Sequence, residues 1–335
     1  MRYVLIVAGG SGKRLWPLSR QDMPKQLLKV VGGKSLLRLA YERVEGVVPD
    51  ANILGEPEGR DSLNAVAWPA AVLAARDPEA VIAVVTADQI MNPVEAFQAA
   101  LDEAFGVAEE SPDALVTFGV VPTSPHTGYG YLQRGEALPG HPDVCTVRAF
   151  KEKPDRATAE HYVGSGEYWW NSGMFVWRAA TLLRQVQTLQ PETHAAIERL
   201  AAEPERLGEI YPGLLKISVD YAVMEPVSQG QGSARVVAVR LPISWHDVGG
   251  FAALGEHLPR DDRGNAIQGV SVLVDAHDNL VINQSEEGRL VAVVGLSGMV
   301  IVQTPQITLV CPSSEAERIK ELVAHVTSQL GTSYA

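Results

Sequence analysis

Three features of the 335-residue sequence predict an α/β protein with a small β-rich domain behind it. From residue 3 to about 120, short β-branched runs alternate with longer helical patterns. From about 120 to 255 the alternation becomes irregular, and from Asn265 to Val310 it gives way to brief β-rich bursts separated by Gly, Asn, Asp and Pro.

In the first stretch, strands are expected at Tyr3–Ala8, Ala51–Leu54, Ala80–Thr86 and Ala114–Val120, and helices at Lys34–Glu45, Ser62–Arg76 and Val94–Glu109. Strand and helix in strict succession predict a Rossmann-like, three-layer arrangement, a mostly parallel mixed sheet with helices on both faces. Ligands of such sheets gather at the carboxyl ends of the strands. In the middle stretch, strands are expected at Thr146–Glu152, Gly173–Trp177 and Arg235–Arg240, with helices near Arg156–Val163, Ala180–Leu189 and Val219–Glu225. This reads as an elaboration of the same domain carrying a second substrate. The tail closes with a helix over Ser314–Gln329, capped by Ser313 or Ser314. A boundary near 257–264 separates residues 1–257 from 258–335. No fixed-period repeat is legible in the tail, whose spacing is compatible with a short left-handed β-helix.

Composition narrows the partners. With a net charge of −12 and a pI near 5.2, neither nucleic acid nor an anionic membrane is an expected partner, because both need clustered Lys and Arg. Any anion must be captured locally. Cys145 and Cys311 are the only cysteines, with no disulfide or metal spacing, and fit a reducing cytoplasm. The apolar start, Tyr3 to Ala8, is too short for a signal peptide and reads as a buried strand. Leu290 to Ser314 carries no charged side chain and is long enough to span a bilayer, but glycines, glutamines and prolines break it into strand-sized pieces.

Directly after the first strand comes Gly9-Gly10-Ser11-Gly12-Lys13-Arg14-Leu15-Trp16-Pro17-Leu18-Ser19-Arg20, then Pro24-Lys25-Gln26. Glycines permit a tight turn and let backbone N–H groups reach phosphate oxygens, while Lys13, Arg14 and Lys25 supply charge. The turn fails the P-loop pattern, because Val7 and Arg14 stand where Gly and Ser or Thr are needed. It fails the dinucleotide pattern as well, with Leu15 in place of the last Gly. Taken alone, it reads equally as a triphosphate cradle or as a turn beside a solvated basic cluster.

The longer string resembles, nearly position for position, the signature of the mannose-1-phosphate guanylyltransferases, within the nucleotide-sugar pyrophosphorylases. Lys13 replaces the small hydroxyl residue usual there. The resemblance implies a nucleotidyltransferase converting GTP and α-D-mannose 1-phosphate to GDP-mannose and pyrophosphate. It assigns Ala8, Gly9, Gly10, Ser11, Gly12, Lys13, Arg14, Lys25 and Asp88 to the nucleotide, with Asp61 and Ser62 in the segment that meets the base. Asp61 replaces the family's usual Asn, and an Asp can accept hydrogen bonds from guanine N1–H and its amine. Asp88, where the strand Ala80–Thr86 ends, and Asp247, in Trp245-His246-Asp247-Val248-Gly249, are implied Mg²⁺ ligands. Each also reads as an ordinary turn acid.

The sugar phosphate falls to Gly128 and Tyr129, to Glu152 and Lys153, to Asn171 and to Asp220. Glycines around Tyr129 would bring the backbone to ring hydroxyls while the ring covers an apolar sugar face. A hairpin with a packed Tyr, an exposed charged strand end, a turn entering a strand and an acid at a helix start are the plainer readings of the four groups. For Glu152 and Lys153 to act together, the strand must distort before Pro154. Arg14, Lys25, Asp88 and Asp247 are the implied catalytic set, and the tail is expected to offer a homodimer contact. The same chemistry on glucose 1-phosphate with UTP or dTTP, and a non-catalytic nucleotide-sugar regulator, are the competing functions.

Overall fold

The structure is a computed structural model and describes every residue except 11, 21, 56–60, 286–288 and 335. It divides into two compact units. One comprises Met1–Gly9, Ala40–Ala87 and Met91–Trp245; the other comprises Gly10–Leu39, Asp88–Ile90 and His246–Ala335.

The first unit is built on an eight-stranded sheet in the order Ile53–Gly55, Arg2–Val7, Val81–Thr86, Tyr168–Arg178, Ala114–Val120, Arg235–Arg240, His141–Lys151, Gly130–Leu138. Tyr168–Arg178 runs antiparallel to both of its central neighbours, and His141–Lys151 antiparallel to Arg235–Arg240. The other six strands share one direction, so the sheet is mixed and mostly parallel. The central strands show why. Val81–Thr86 buries five of its six residues and Ala114–Val120 all seven, the continuous burial of strands covered on both faces. Helices Ser62–Arg76, Val94–Glu110, Ala179–Leu189 and Pro191–Ala202 supply the cover, and Phe175, Trp177 and Tyr211 anchor one core.

Three departures from the expected elements have local causes. Gly130–Leu138 is a strand, its alternation hidden by Gly135 and charged residues on its exposed half. Pro191–Ala202 is a separate helix because Pro191 starts it at the first turn. The expected helix at 219–225 opens as a π-helix, Asp220–Met224, before a short α-helix, Glu225–Ser228; Pro226 has no N–H to continue a regular ladder.

In the second unit the tail forms parallel rungs. Ala266–Gln268 pairs with Leu280–Asn283, which pairs with Met299–Gln303, while Ser271–Val274 pairs with Val291–Val294. Thr308–Pro312 closes the stack antiparallel. Buried amides link the turns: Asn279 Nδ2 donates to Asn265 Oδ1 and to Leu296 O, both at 2.9 Å, and Met299 N donates to Asn279 Oδ1 at 2.9 Å. The rungs are unequal, Ala266 facing Leu280 and Leu280 facing Val300, which hides the repeat from a fixed-period reading. The uncharged stretch Leu290–Ser314 becomes three strands, and among the described residues no helix is long and apolar enough to cross a membrane. The last helix, Ile319–Leu330, follows a 3-10 turn, Ser313–Arg318, with no side-chain cap, so the expected serine cap is absent. Leu15, Trp16, Leu18, Leu28 and Leu36 pack in one core with Leu280, Ile282, Val300, Val302, Ile319 and Val323, which is why Gly10–Leu39 groups with the tail.

In the first unit, His141 ties the hairpin strand to the helix Val94–Glu110: its Nδ1 lies 2.7 Å from Glu103 Oε1 and its Nε2 3.1 Å from Glu110 Oε2. Hydrogen bonds to Glu103 and then Glu110 raise the imidazole above its ordinary value, against a smaller effect of burial. The folded protein therefore holds this proton more tightly than the unfolded chain, whose His titrates near about 6.5. The gain is complete below that pH and lost as pH rises through the raised value. His141→Gln should accordingly lower the melting temperature more near about pH 6 than near about pH 9, as measured by thermal unfolding.

Candidate active site

The glycine turn is shaped around one lysine. Gly12 has a left-handed φ of 58° and Leu15 N–H donates to its carbonyl at 2.8 Å, which starts the single 3-10 turn Lys13–Leu15. A Cβ on Gly12 would stand 2.8 Å from Lys25 Cβ and 2.4 Å from Ser19 Oγ, and one on Gly10, at φ 111°, 3.3 Å from Lys25 Cε. The lysine stem thus runs against both glycines. Lys25 is buried and its Nζ pairs with the Asp88 carboxylate. Lys13 and Arg14 are exposed, with Arg14 Nε 2.9 Å from Glu317 Oε2.

Asp247 belongs to the same unit. A Cβ on Gly249 would lie 3.5 Å from Asp247 Oδ2 and 3.6 Å from Arg14 Nη1, so both charged groups flank this glycine. Val248 N–H donates to Asp88 O at 3.0 Å, bringing the backbones of the two predicted metal positions together. Arg14, Lys25, Asp88 and Asp247 therefore converge despite their separation in sequence. Among the described residues no group of three or more His, Cys, Asp and Glu could hold a metal by itself. Two carboxylates fit Mg²⁺ nonetheless, since that ion keeps waters and commonly takes one or two carboxylates plus substrate phosphates. An ionised carboxylate has about four acceptor sites, so the Lys25 contact does not exhaust Asp88.

A second cluster lies in the first unit. The strand His141–Lys151 ends before Glu152, and Lys153 takes a φ of 44°, the distortion required ahead of Pro154. Lys153 Nζ consequently reaches Glu152 Oε1 at 2.8 Å. Glu152 is buried and its Oε2 has no hydrogen-bond partner among the described residues. Gly130 makes room for it, since a Cβ there would stand 2.5 Å from Oε2. Asn171 Nδ2 donates to Asp220 Oδ1 at 2.9 Å, and Thr117 Oγ1 donates to Asn171 Oδ1 at 2.8 Å. Burial first, then the Glu152 charge, raises the Asp220 carboxyl far above the carboxylate range, against its own backbone, Asn171 and Lys153.

Beside these groups Tyr129 stacks on His126 at 3.9 Å between ring centroids and meets Trp170 and Trp245 edge-on at 5.2 Å and 4.9 Å. Gly128 N–H donates to His126 Nδ1 at 3.1 Å, which curls the loop. Thr117, Trp170, Trp245 and Glu317 were not legible as site residues: each is an ordinary core or surface residue until the fold supplies its neighbour.

Asp61, at φ 67°, caps the helix Ser62–Arg76, accepting from Ser62 N–H at 2.9 Å. Ser62 Oγ accepts from Val219 N–H at 2.9 Å, so this helix start is bound to the backbone just before Asp220. Ala8 and Gly9 directly follow the first strand. Ser11 and the residues 56–60 ahead of Asp61 lie outside the described residues. A cavity of about 540 Å³ elsewhere in the first unit, with Arg134, Cys145, Tyr168, Trp169 and Arg240 in its wall, contains none of the predicted site residues.

Comparison with known proteins places this geometry. The family profile described as Nucleotidyl transferase matches residues 3–54 and 39–262, and the profile of the MannoseP isomerase/GMP-like beta-helix domain matches residues 269–326. A Klebsiella pneumoniae protein named mannose-1-phosphate guanylyltransferase is 35% identical over 98% of this chain and 75% of its own length. The xanthan biosynthesis protein XanB of Xanthomonas campestris pv. campestris is 35% identical over 97% of this chain and 73% of its own. A solved structure from Thermus thermophilus, described as a mannose-1-phosphate geranyltransferase, superposes with a TM-score of 0.84 at 33% identity, covering 97% of this chain and 99% of that one. The chain belongs to the nucleotidyl transferase family, in its mannose-1-phosphate guanylyltransferase branch.

Proposed function

We propose that the protein condenses GTP with α-D-mannose 1-phosphate to give GDP-mannose and pyrophosphate. The observation that carries the reading is the buried Lys25–Asp88 pair beneath a glycine turn, in a chain that aligns almost throughout with proteins named for this reaction. In sequence terms we assign catalysis to residues 1–257, the nucleotide to about 1–120 and the sugar phosphate to about 121–257, with residues 258–335 as the β-rich domain.

Ala8, Gly9, Gly10, Ser11, Gly12 and Lys13 are assigned to the triphosphate in this reading, and Asp61 and Ser62 to the base side. Gly128, Tyr129, Glu152, Lys153, Asn171 and Asp220 take the sugar phosphate. An oxygen of mannose 1-phosphate bonds to the α-phosphorus of GTP, and the bond to the bridging oxygen breaks, its electron pair leaving on pyrophosphate. The nucleophile is already an anion, so no general base is needed. Arg14 and Lys25 orient the phosphate oxygens and offset their charge. Enzymes of this family generally work with a divalent metal; Mg²⁺, which we assign to Asp88 and Asp247, would supply further charge neutralisation on the phosphates.

The two free cysteines suit a reducing cytoplasm. Homodimerisation through the tail is supported by an uncharged outward face on the paired strands Ser271–Val274 and Val291–Val294, where Val272, Val274 and Val294 are exposed. Val272→Asp should then shift the sedimentation of the full chain from dimer to monomer, and an unchanged coefficient would discard this contact.

Pyrophosphate release measured over four nucleoside triphosphates and several sugar 1-phosphates should favour GTP with mannose 1-phosphate; preference for another base or sugar overturns the pair. Lys25→Ala and Asp88→Asn should each cut kcat by about 10²–10³, roughly 2.7–4 kcal/mol of barrier, by analogy with a lost oxyanion donor. Near-normal turnover in a folded Asp88→Asn protein would remove the carboxylate from catalysis.

A further inference from the structure

The sugar cluster holds two carboxyl groups and one nearby ammonium. Glu152 is buried, shares Oε1 with Lys153 and points Oε2 at Gly130 with no hydrogen-bond partner among the described residues. Asp220 is fixed by the chain from Thr117 through Asn171, which donates to its Oδ1. The groups bearing on Asp220 are Glu152 and Lys153 beyond the strand end, the neutral Asn171 amide from Tyr168–Arg178, and its own backbone. Ser62 Oγ accepts from Val219 N–H, and Lys151 pairs at 3.3 Å with Glu225. Lys153 is about half exposed and lies over the Tyr221 ring, 6.0 Å from its centroid, so solvent weakens the one opposing charge.

Two carboxylates, Glu152 buried and Asp220 half-buried, beside one solvated ammonium leave a negative charge uncompensated, and the relief that costs least is for one carboxyl to keep its proton. Glu152 already has Lys153; Asp220 has a neutral amide. We infer that Asp220 reads the sugar as a carboxylic acid, donating from Oδ2 to one sugar oxygen while the Glu152 carboxylate accepts from a neighbouring hydroxyl. Asn171 donates to Oδ1, so in this reading the proton sits on Oδ2. An acid beside a carboxylate presents one donor and one acceptor, matching a pair of adjacent hydroxyls, whereas two carboxylates would present acceptors only. The direction of the Asp220 titration agrees, burial and Glu152 pushing its carboxyl up to about 7.

This inference rests on the assignment of the cluster to the sugar phosphate. KM for mannose 1-phosphate and kcat are measured from about pH 6 to about pH 9 in the wild type, Asp220→Asn and Glu152→Gln, each checked for folding by thermal unfolding. The wild-type KM should rise on the order of tenfold as Asp220 loses its proton, with kcat changing less. Asp220→Asn, whose amide cannot ionise, should show a KM that no longer climbs across this range. Glu152→Gln should move the midpoint of the climb to lower pH, because the neighbouring charge is gone. The titration of the sugar phosphate itself is common to all three and cancels in the comparison. An Asp220→Asn profile parallel to the wild type overturns the inference, as does an unmoved midpoint in Glu152→Gln. If Asp220→Asn does not fold, that midpoint alone decides. A KM unchanged from wild type in Glu152→Gln at every pH overturns the sugar assignment instead.

Discussion

A buried ammonium is the constraint on which the glycine turn and its surroundings depend. Lys25 is withdrawn from solvent, and an unpaired ion there would cost several kcal/mol. Asp88, just past the strand Val81–Thr86 in sequence, answers it. The lysine stem can reach Asp88 only by lying where side chains of residues 10 and 12 would otherwise be, so both are glycine. Backbone N–H groups of the turn, the ammonium and the carboxylate are thus consequences of one packing problem. Its solution is a surface suited to phosphate oxygens.

The cluster of Glu152, Lys153, Asn171 and Asp220 answers the opposite problem, too much negative charge. Lys153 accepts a left-handed backbone to stand over Glu152, and the widened helical turn at Asp220 sets that carboxyl against Asn171. Non-glycine residues at positive φ and π-helical turns cost free energy and persist where neighbouring contacts hold them. Both departures fall at groups assigned to substrate, and the strand pairing beneath them shifts register between Asn171 and Phe175.

How much of this was legible depended on distance along the chain. The glycine turn and Asp88 could be read because strand, turn and charge are local, whereas the break before Pro154 was legible only through the joint role that the resemblance gives Glu152 and Lys153. The alternation of strands and helices predicted the sheet class, but not the reversed direction of Tyr168–Arg178, since alternation counts elements and does not order them. Asp247 was legible only through its resemblance, because nothing local joins it to Arg14 across the chain. Glu317 as the partner of Arg14, and Thr117 as the support of Asn171, were invisible for the same reason. Neither has a pattern of its own.

The core that joins Leu15, Trp16, Leu18, Leu28 and Leu36 to Leu280, Val300 and Val323 gives the chain a timetable. Synthesis proceeds from the N-terminus, and segments fold as their partners emerge. The glycine turn is made well before residues 246–335, and the apolar side chains behind it have no completed core until those residues have followed. The β-helical tail, remote in sequence from every predicted catalytic residue except Asp247, is the element whose arrival lets the turn take its shape.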